Sequence, residues 1–236
     1  MHDGIGRCVS LLESAPDDLF MEACCRRWIG CLVARQGRFE EARELVVAAA
    51  AAYEELGARL DAVSTAAFAR ADVELLAGDD VAAESALRDG YEALGNLGEI
   101  GYRASVAAML ARILHARGHV AEAHDLACEV EATASAQDLW SQALYRLTRA
   151  RLLVDAGALD DAERVAREAL AIVEPTDLLD LRGDVLLELA VVLRSGSRAD
   201  EARECIEASI ALYEAKGNAV AVERARAQLE LTATTA

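Results

Sequence analysis

Gly157-Ala-Leu-Asp-Asp-Ala162 decides the fold, because it recurs. Gly37-Arg-Phe-Glu-Glu-Ala42, Gly78-Asp-Asp-Val-Ala-Ala83 and Gly118-His-Val-Ala-Glu-Ala123 follow the same plan. Ser197-Arg-Ala-Asp-Glu-Ala202 follows it with serine in the glycine place. The starts lie 41, 40, 39 and 40 residues apart. Self-similarity at so regular a period is the signature of a repeat array, in which each unit packs on its neighbours.

Working outward from the turn, the positions seven residues before it hold Gly30, Ala71, Ala111, Ala150 and Ala190. Those seven after the alanine hold Ala49, Gly90, Val130, Ala169 and Ser209. Two helices approach to about 8–9 Å only where side chains are small. The turn therefore reads as scaffold: its glycine reverses the chain and its alanine lets two helices touch.

The composition agrees with helix. The chain of 236 residues has two prolines, is 54% hydrophobic and only 4% aromatic, and is rich in Ala, Leu, Glu and Arg. The pattern predicts helix pairs over 18–56, 59–95, 99–135, 138–173 and 178–216, with a cap helix at 218–232. Residues 3–14 read as the second helix of an incomplete leading repeat, ended by Pro16. That start suggests a piece of a longer array, or an edge that another domain or a second copy covers. The expectation is one all-α, right-handed solenoid over 1–236. Tyr53/Gly57, Tyr91/Gly95 and Tyr213/Gly217 share a Tyr-x-x-x-Gly spacing, where glycine suits the left-handed residue that closes a helix.

The turn and its small flanking residues resemble the tetratricopeptide repeat (TPR). The period near 40 exceeds the family's, and its Trp and Pro positions are mostly unfilled. The resemblance implies a protein- or peptide-binding module whose first helices line a concave groove. More narrowly, residues 86–102, 141–196 and 212–218 resemble the carboxyl-terminal region of bacterial proteins that join a class III adenylate/guanylate cyclase to a P-loop ATPase. That likeness implies a ligand-sensing regulatory tail. No P-loop is present here, and Lys216 is the only lysine.

The net charge of −17 disfavours nucleic acid and anionic membrane as partners. No apolar leader or bilayer-length run is visible. The cysteines at 8, 24, 25, 31, 128 and 205 form no Cys-x-x-Cys pair and read as reduced thiols of a cytoplasmic protein.

Three sets of residues bear on chemistry. His115, His119 and His124 lie near one turn and raise the remote alternative of a metal-dependent enzyme. Asp79/Asp80 and Asp160/Asp161 begin second helices, where carboxylates complement the helix dipole. Arg103, Arg112, Arg146, Arg149, Arg151, Arg182 and Arg194 fall on first helices and could line a groove for a carboxylate, an acidic segment or a phosphorylated ligand, or else pair with neighbouring acids. Trp140 and Tyr145 read as groove anchors or packing residues. No catalytic residue, metal site or cofactor is expected.

Overall fold

The computed structural model describes residues 2–15 and 17–234; Met1, Pro16 and residues 235–236 lie outside them. Among the described residues every regular element is helical: α1 (His2–Ser14), α2 (Leu19–Ala34), α3 (Phe39–Glu55), α4 (Arg59–Ser64), a π-helical turn (Thr65–Ala69), α5 (Arg70–Ala77), α6 (Asp80–Asn96), α7 (Gly101–Ala116), α8 (Val120–Thr133), α9 (Leu139–Asp155), α10 (Leu159–Val173), α11 (Leu179–Ser195), α12 (Ala199–Lys216) and α13 (Ala219–Thr234). The chain forms two compact units, Met1–Val106 and Ala107–Ala236.

The recurring turn has one geometry throughout. Gly37, Gly78, Gly118 and Gly157 take φ of 81°, 82°, 83° and 73°, and Ser197 takes 61°. At each, the next residue's N–H reaches back to a carbonyl in the preceding helix: Arg38 to Val33, Asp79 to Glu74, His119 to Leu114, Ala158 to Leu153 and Arg198 to Leu193. This is the left-handed closure that satisfies the last carbonyls of a helix. The second helices then carry acids in their first turns, and α6 starts on one, with Asp79 Oδ1 accepting from Ala82 N at 2.9 Å. Asp160 and Asp161 sit in the first turn of α10.

In the first unit α2 packs on α3 and the α4–α5 segment packs on α6. The contacts are close because the crossing residues are small. A Cβ at Gly30 would stand 2.9 Å from Val46 Cγ2, and one at Gly90 would stand 2.3 Å from Ala67 Cβ. The π-helical turn explains the 41-residue spacing. From the N-cap Ala58 to Gly78 the first helix is one residue longer than from Asp138 to Gly157 or from Leu178 to Ser197. A π-turn absorbs one inserted residue without breaking the helix.

In the second unit α9 packs on α10, α11 on α12 and α13 on α12, while α9 also touches α11. Ala150, Ala162, Leu189, Ala190, Leu193, Ala202 and Ile206 share one buried cluster, closed at the end by Val222 and Ala225 of α13. Tyr213 lies against Gly183, where an added Cβ would stand 2.5 Å from the ring.

One closing glycine differs from its expected place. Gly95 is helical, within α6, and Gly98 carries the left-handed φ of 71°. The core position eleven residues after the repeat alanine is Tyr53, Leu94 and Tyr213 in these repeats, all buried. Leu94, not Tyr91, therefore fills the slot, and the turn follows it.

Candidate functional site

The first helices of the second unit bring six ionisable side chains together. Residues 107–116 of α7 supply Arg112 and His115, α9 supplies Arg151 and Asp155, and α11 supplies Asp184 and Glu188. Glu188 is the hub. It is only 8% exposed, and the Arg151 guanidinium pairs with its carboxylate. Burial pushes the Glu188 carboxyl above its usual range, while Arg151, Arg112 and His115 pull it down. Arg112 Nη1 lies 3.9 Å from Asp184 Oδ2. The other Asp184 oxygen accepts from Tyr213 Oη at 2.7 Å. Burial first, then Asp184, raises the Tyr213 phenol well above its ordinary value, so it stays a donor. His115 Nε2 lies 2.7 Å from Asp155 Oδ2, and Asn218 Nδ2 donates to Asp180 Oδ1 at 3.2 Å.

The remaining arginines are placed as follows. Arg146 donates to Gln142, lies 3.7 Å from Glu168 and stacks 4.6 Å from the Tyr145 ring centroid. Arg149 pairs with Glu131 at 2.6 Å. In the first unit Arg103 stacks on Tyr91 at 4.1 Å and donates to its hydroxyl. Arg182 is half-buried on α11. Arg194 is exposed in the last turn of α11, where a cation complements the helix dipole. Arg112, Arg146, Arg149 and Arg151 thus each meet a carboxylate, so the face is a mixed-charge surface rather than a bare cationic groove.

The three histidines do not converge. His115 is taken by Asp155, His119 is the exposed N-cap of α8, and His124 lies on the exposed side of α8, 3.8 Å from Cys128 Sγ. Among the described residues no group of three or more His, Cys, Asp or Glu is arranged to hold a metal ion. Trp140 is partly exposed at the start of α9 and Tyr145 is buried.

Sequence reading missed Glu188 as the hub. A signal was there. Nine residues before the turn stand Met109, Thr148 and Glu188 in successive repeats, a slot that is buried in all three. A lone carboxylate in a buried slot implies a partner from a neighbouring element.

Helix pairs joined by left-handed turns, with a buried alanine after each turn, define a class: the TPR-like helical repeat. Solved structures carry the same fold. BtubC (BKLC) from P. vanneervenii superposes with a TM-score of 0.62 at 16% identity, over 91% of this chain and 91% of that one. A kinesin light chain with nearly identical TPR-like repeats from Podosopora anserina gives 0.50 at 21% identity, over 79% of this chain and 92% of its own. The apo form of the quorum sensor NprR from B. thuringiensis gives 0.59 at 16% identity, and this chain spans 95% of itself but 62% of NprR. No family model matches the sequence, and no curated protein matches it. Among the described residues no helix is long and apolar enough to cross a membrane.

Proposed function

We propose that the chain is a non-catalytic, cytoplasmic repeat module that binds a protein or peptide on the first-helix face of its second unit. The observation that carries this reading is Glu188. A scaffold needs only apolar packing there, as Met109 supplies two repeats earlier in the register. Replacing a buried ion pair by apolar residues of like volume is often neutral or stabilising, so the Arg151–Glu188 pair is poorly explained by stability alone. With Arg112 and Asp184 beside it, the face offers cations and carboxylates at fixed spacing. Such an arrangement suits a segment of mixed charge, whose backbone and side chains both find partners.

The test is to pan a random peptide library on the purified chain and titrate the selected peptides by calorimetry. The paired variant Arg151→Met/Glu188→Leu should weaken binding at least about tenfold. Arg164→Ala/Arg167→Ala, on the outer side of α10, should leave it unchanged. Equal affinity in both variants overturns the proposal.

The finer form of the reading is a ligand-sensing regulatory module of a cyclase, ATPase or transcription-activator system. It rests on the resemblance of residues 86–102 and 141–196 to cyclase–ATPase tails, and on the likeness in fold to a quorum sensor. A cyclase, ATPase or activator reading frame fused or adjacent to this one in the genome would support it; unrelated neighbours would count against it.

A further inference from the structure

Unit 1 carries an apolar edge separate from the face described above. Phe20 and Leu60 are the second residues of α2 and α4, and Leu56 and Leu97 close α3 and α6. The packing sets them side by side. A Cβ at Gly30 would meet Val46 Cγ2 at 2.9 Å, and the Phe20 and Tyr53 rings meet edge to face at 5.1 Å. So α2 and α3 run antiparallel, with Phe20 level with Leu56. In the next repeat a Cβ at Gly90 would meet Ala67 Cβ at 2.3 Å, and Leu60 and Leu97 each lie seven residues from that contact, towards the same end. Tyr53 shares a buried cluster with Ala62 of α4, and Ala58 packs on it, which joins the two repeats along this edge. Tyr102, the second residue of α7, continues the edge, its ring centroid 6.0 Å from that of Phe68. Phe20, Leu56, Leu60, Leu97 and Tyr102 are 37–48% exposed. Single exposed apolar residues are ordinary, but a contiguous row of them marks a docking surface.

The charge along this edge selects its occupant. Glu54 and Glu55 are exposed in the last turn of α3, which holds no basic residue. Two acids thus sit at the negative end of the helix dipole, where cations are favoured. Asp17, Asp18 and Glu99 extend the acidic rim, against the exposed Arg59 beside Leu60. We propose that this edge docks a basic amphipathic helix of a partner protein. Its apolar side chains lie along Phe20, Leu56, Leu60, Leu97 and Tyr102, and its Lys or Arg residues meet Glu54 and Glu55. A cation there pairs with the carboxylates and complements the carboxyl end of α3 in one contact. A second copy of the chain brings the same acidic edge and a net charge of −17, and an anionic bilayer brings phosphate. Both meet repulsion where a basic helix meets attraction.

The test titrates the full chain, by fluorescence anisotropy, with a labelled Leu/Lys peptide of about 14 residues, apolar at helical spacing, and with its Leu/Glu counterpart. The Leu/Lys peptide should bind at least about tenfold more tightly than the Leu/Glu peptide. Leu56→Ser/Leu97→Ser changes two exposed side chains, should melt like the parent, and should weaken the Leu/Lys peptide at least about tenfold. Glu54→Gln/Glu55→Gln should weaken it about three- to tenfold at low ionic strength, and less in about 0.5 M salt. Two control pairs should leave it unchanged: Val47→Ser/Val81→Ser, exposed valines outside the edge, and Arg151→Met/Glu188→Leu in the second unit. Equal affinity for the two peptides, no loss in either edge variant, or an equal loss in a control pair overturns the proposal. So does dimerisation in sedimentation, or flotation with phosphatidylserine vesicles, that Leu56→Ser/Leu97→Ser abolishes, since either assigns the edge to another occupant.

Discussion

Deleting one arm of the Arg151–Glu188 pair separates the cost of an orphaned charge from the value of the pair. Glu188 is buried, with Arg151 its leading cationic partner and Arg112 and His115 adding to it. Arg151→Met leaves the carboxylate without that partner. Breaking a buried pair in this way costs about 3–5 kcal/mol, and the nearby Arg112 places the loss at the lower end of that range. Arg151→Met/Glu188→Leu removes both charges and fills the space, so its stability should match the parent or exceed it by about 1–4 kcal/mol. The pH dependence has a definite sign. The folded carboxyl binds its proton more tightly than the unfolded one, because burial raises it. Stability from this group is therefore full at low pH and is lost as pH rises from the ordinary carboxylate range through the raised folded value. Arg151→Met raises the carboxyl further, so its deficit should be larger at pH 7.5 than at pH 5. Urea unfolding followed by Trp140 fluorescence in a Trp28→Phe background reports on the second unit alone. A single variant losing less than about 1 kcal/mol, or a double variant losing as much as the single, would refute the reasoning.

Three further substitutions test the scaffold. Ser197 holds a φ of 61° where the other turns carry glycine, so Ser197→Gly should stabilise the second unit by about 0.5–1 kcal/mol in the same urea assay. Gly183→Ala places a methyl 2.5 Å from the buried Tyr213 ring; despite alanine's better helix propensity it should cost about 1–3 kcal/mol by calorimetric melting. The buried Thr148 hydroxyl has no hydrogen-bond partner among the described residues, so Thr148→Val should raise stability by about 1 kcal/mol.

The turns were legible in the sequence because glycine at a left-handed position and alanine at a helix crossing are each set by local sterics. All five repeat alanines, from Ala42 to Ala202, are no more than 1% exposed. The extra residue in the 41-residue spacing was visible too, but its place was not. The π-turn at Thr65–Ala69 lies where Ala67 meets Gly90, a contact set by the partner helix rather than by local propensity. Gly95 misled for a similar reason: Tyr91 copies the spacing of Tyr53 and Tyr213 but sits three residues before the slot that Leu94 fills. The site was less legible. Arg151 and Glu188 are 37 residues apart, as are Arg35 and Asp72, and no local pattern predicts which charges meet across neighbouring repeats.

The footprint of a bound peptide is the most direct test of the first-helix face as a binding surface. Amide exchange of the complex with a panned peptide should slow on the first helices of the second unit, residues 107–116, 139–155 and 179–195, around Arg112, Arg151 and Glu188. Protection confined to α8, α10 and α12, or to the first unit, would contradict it.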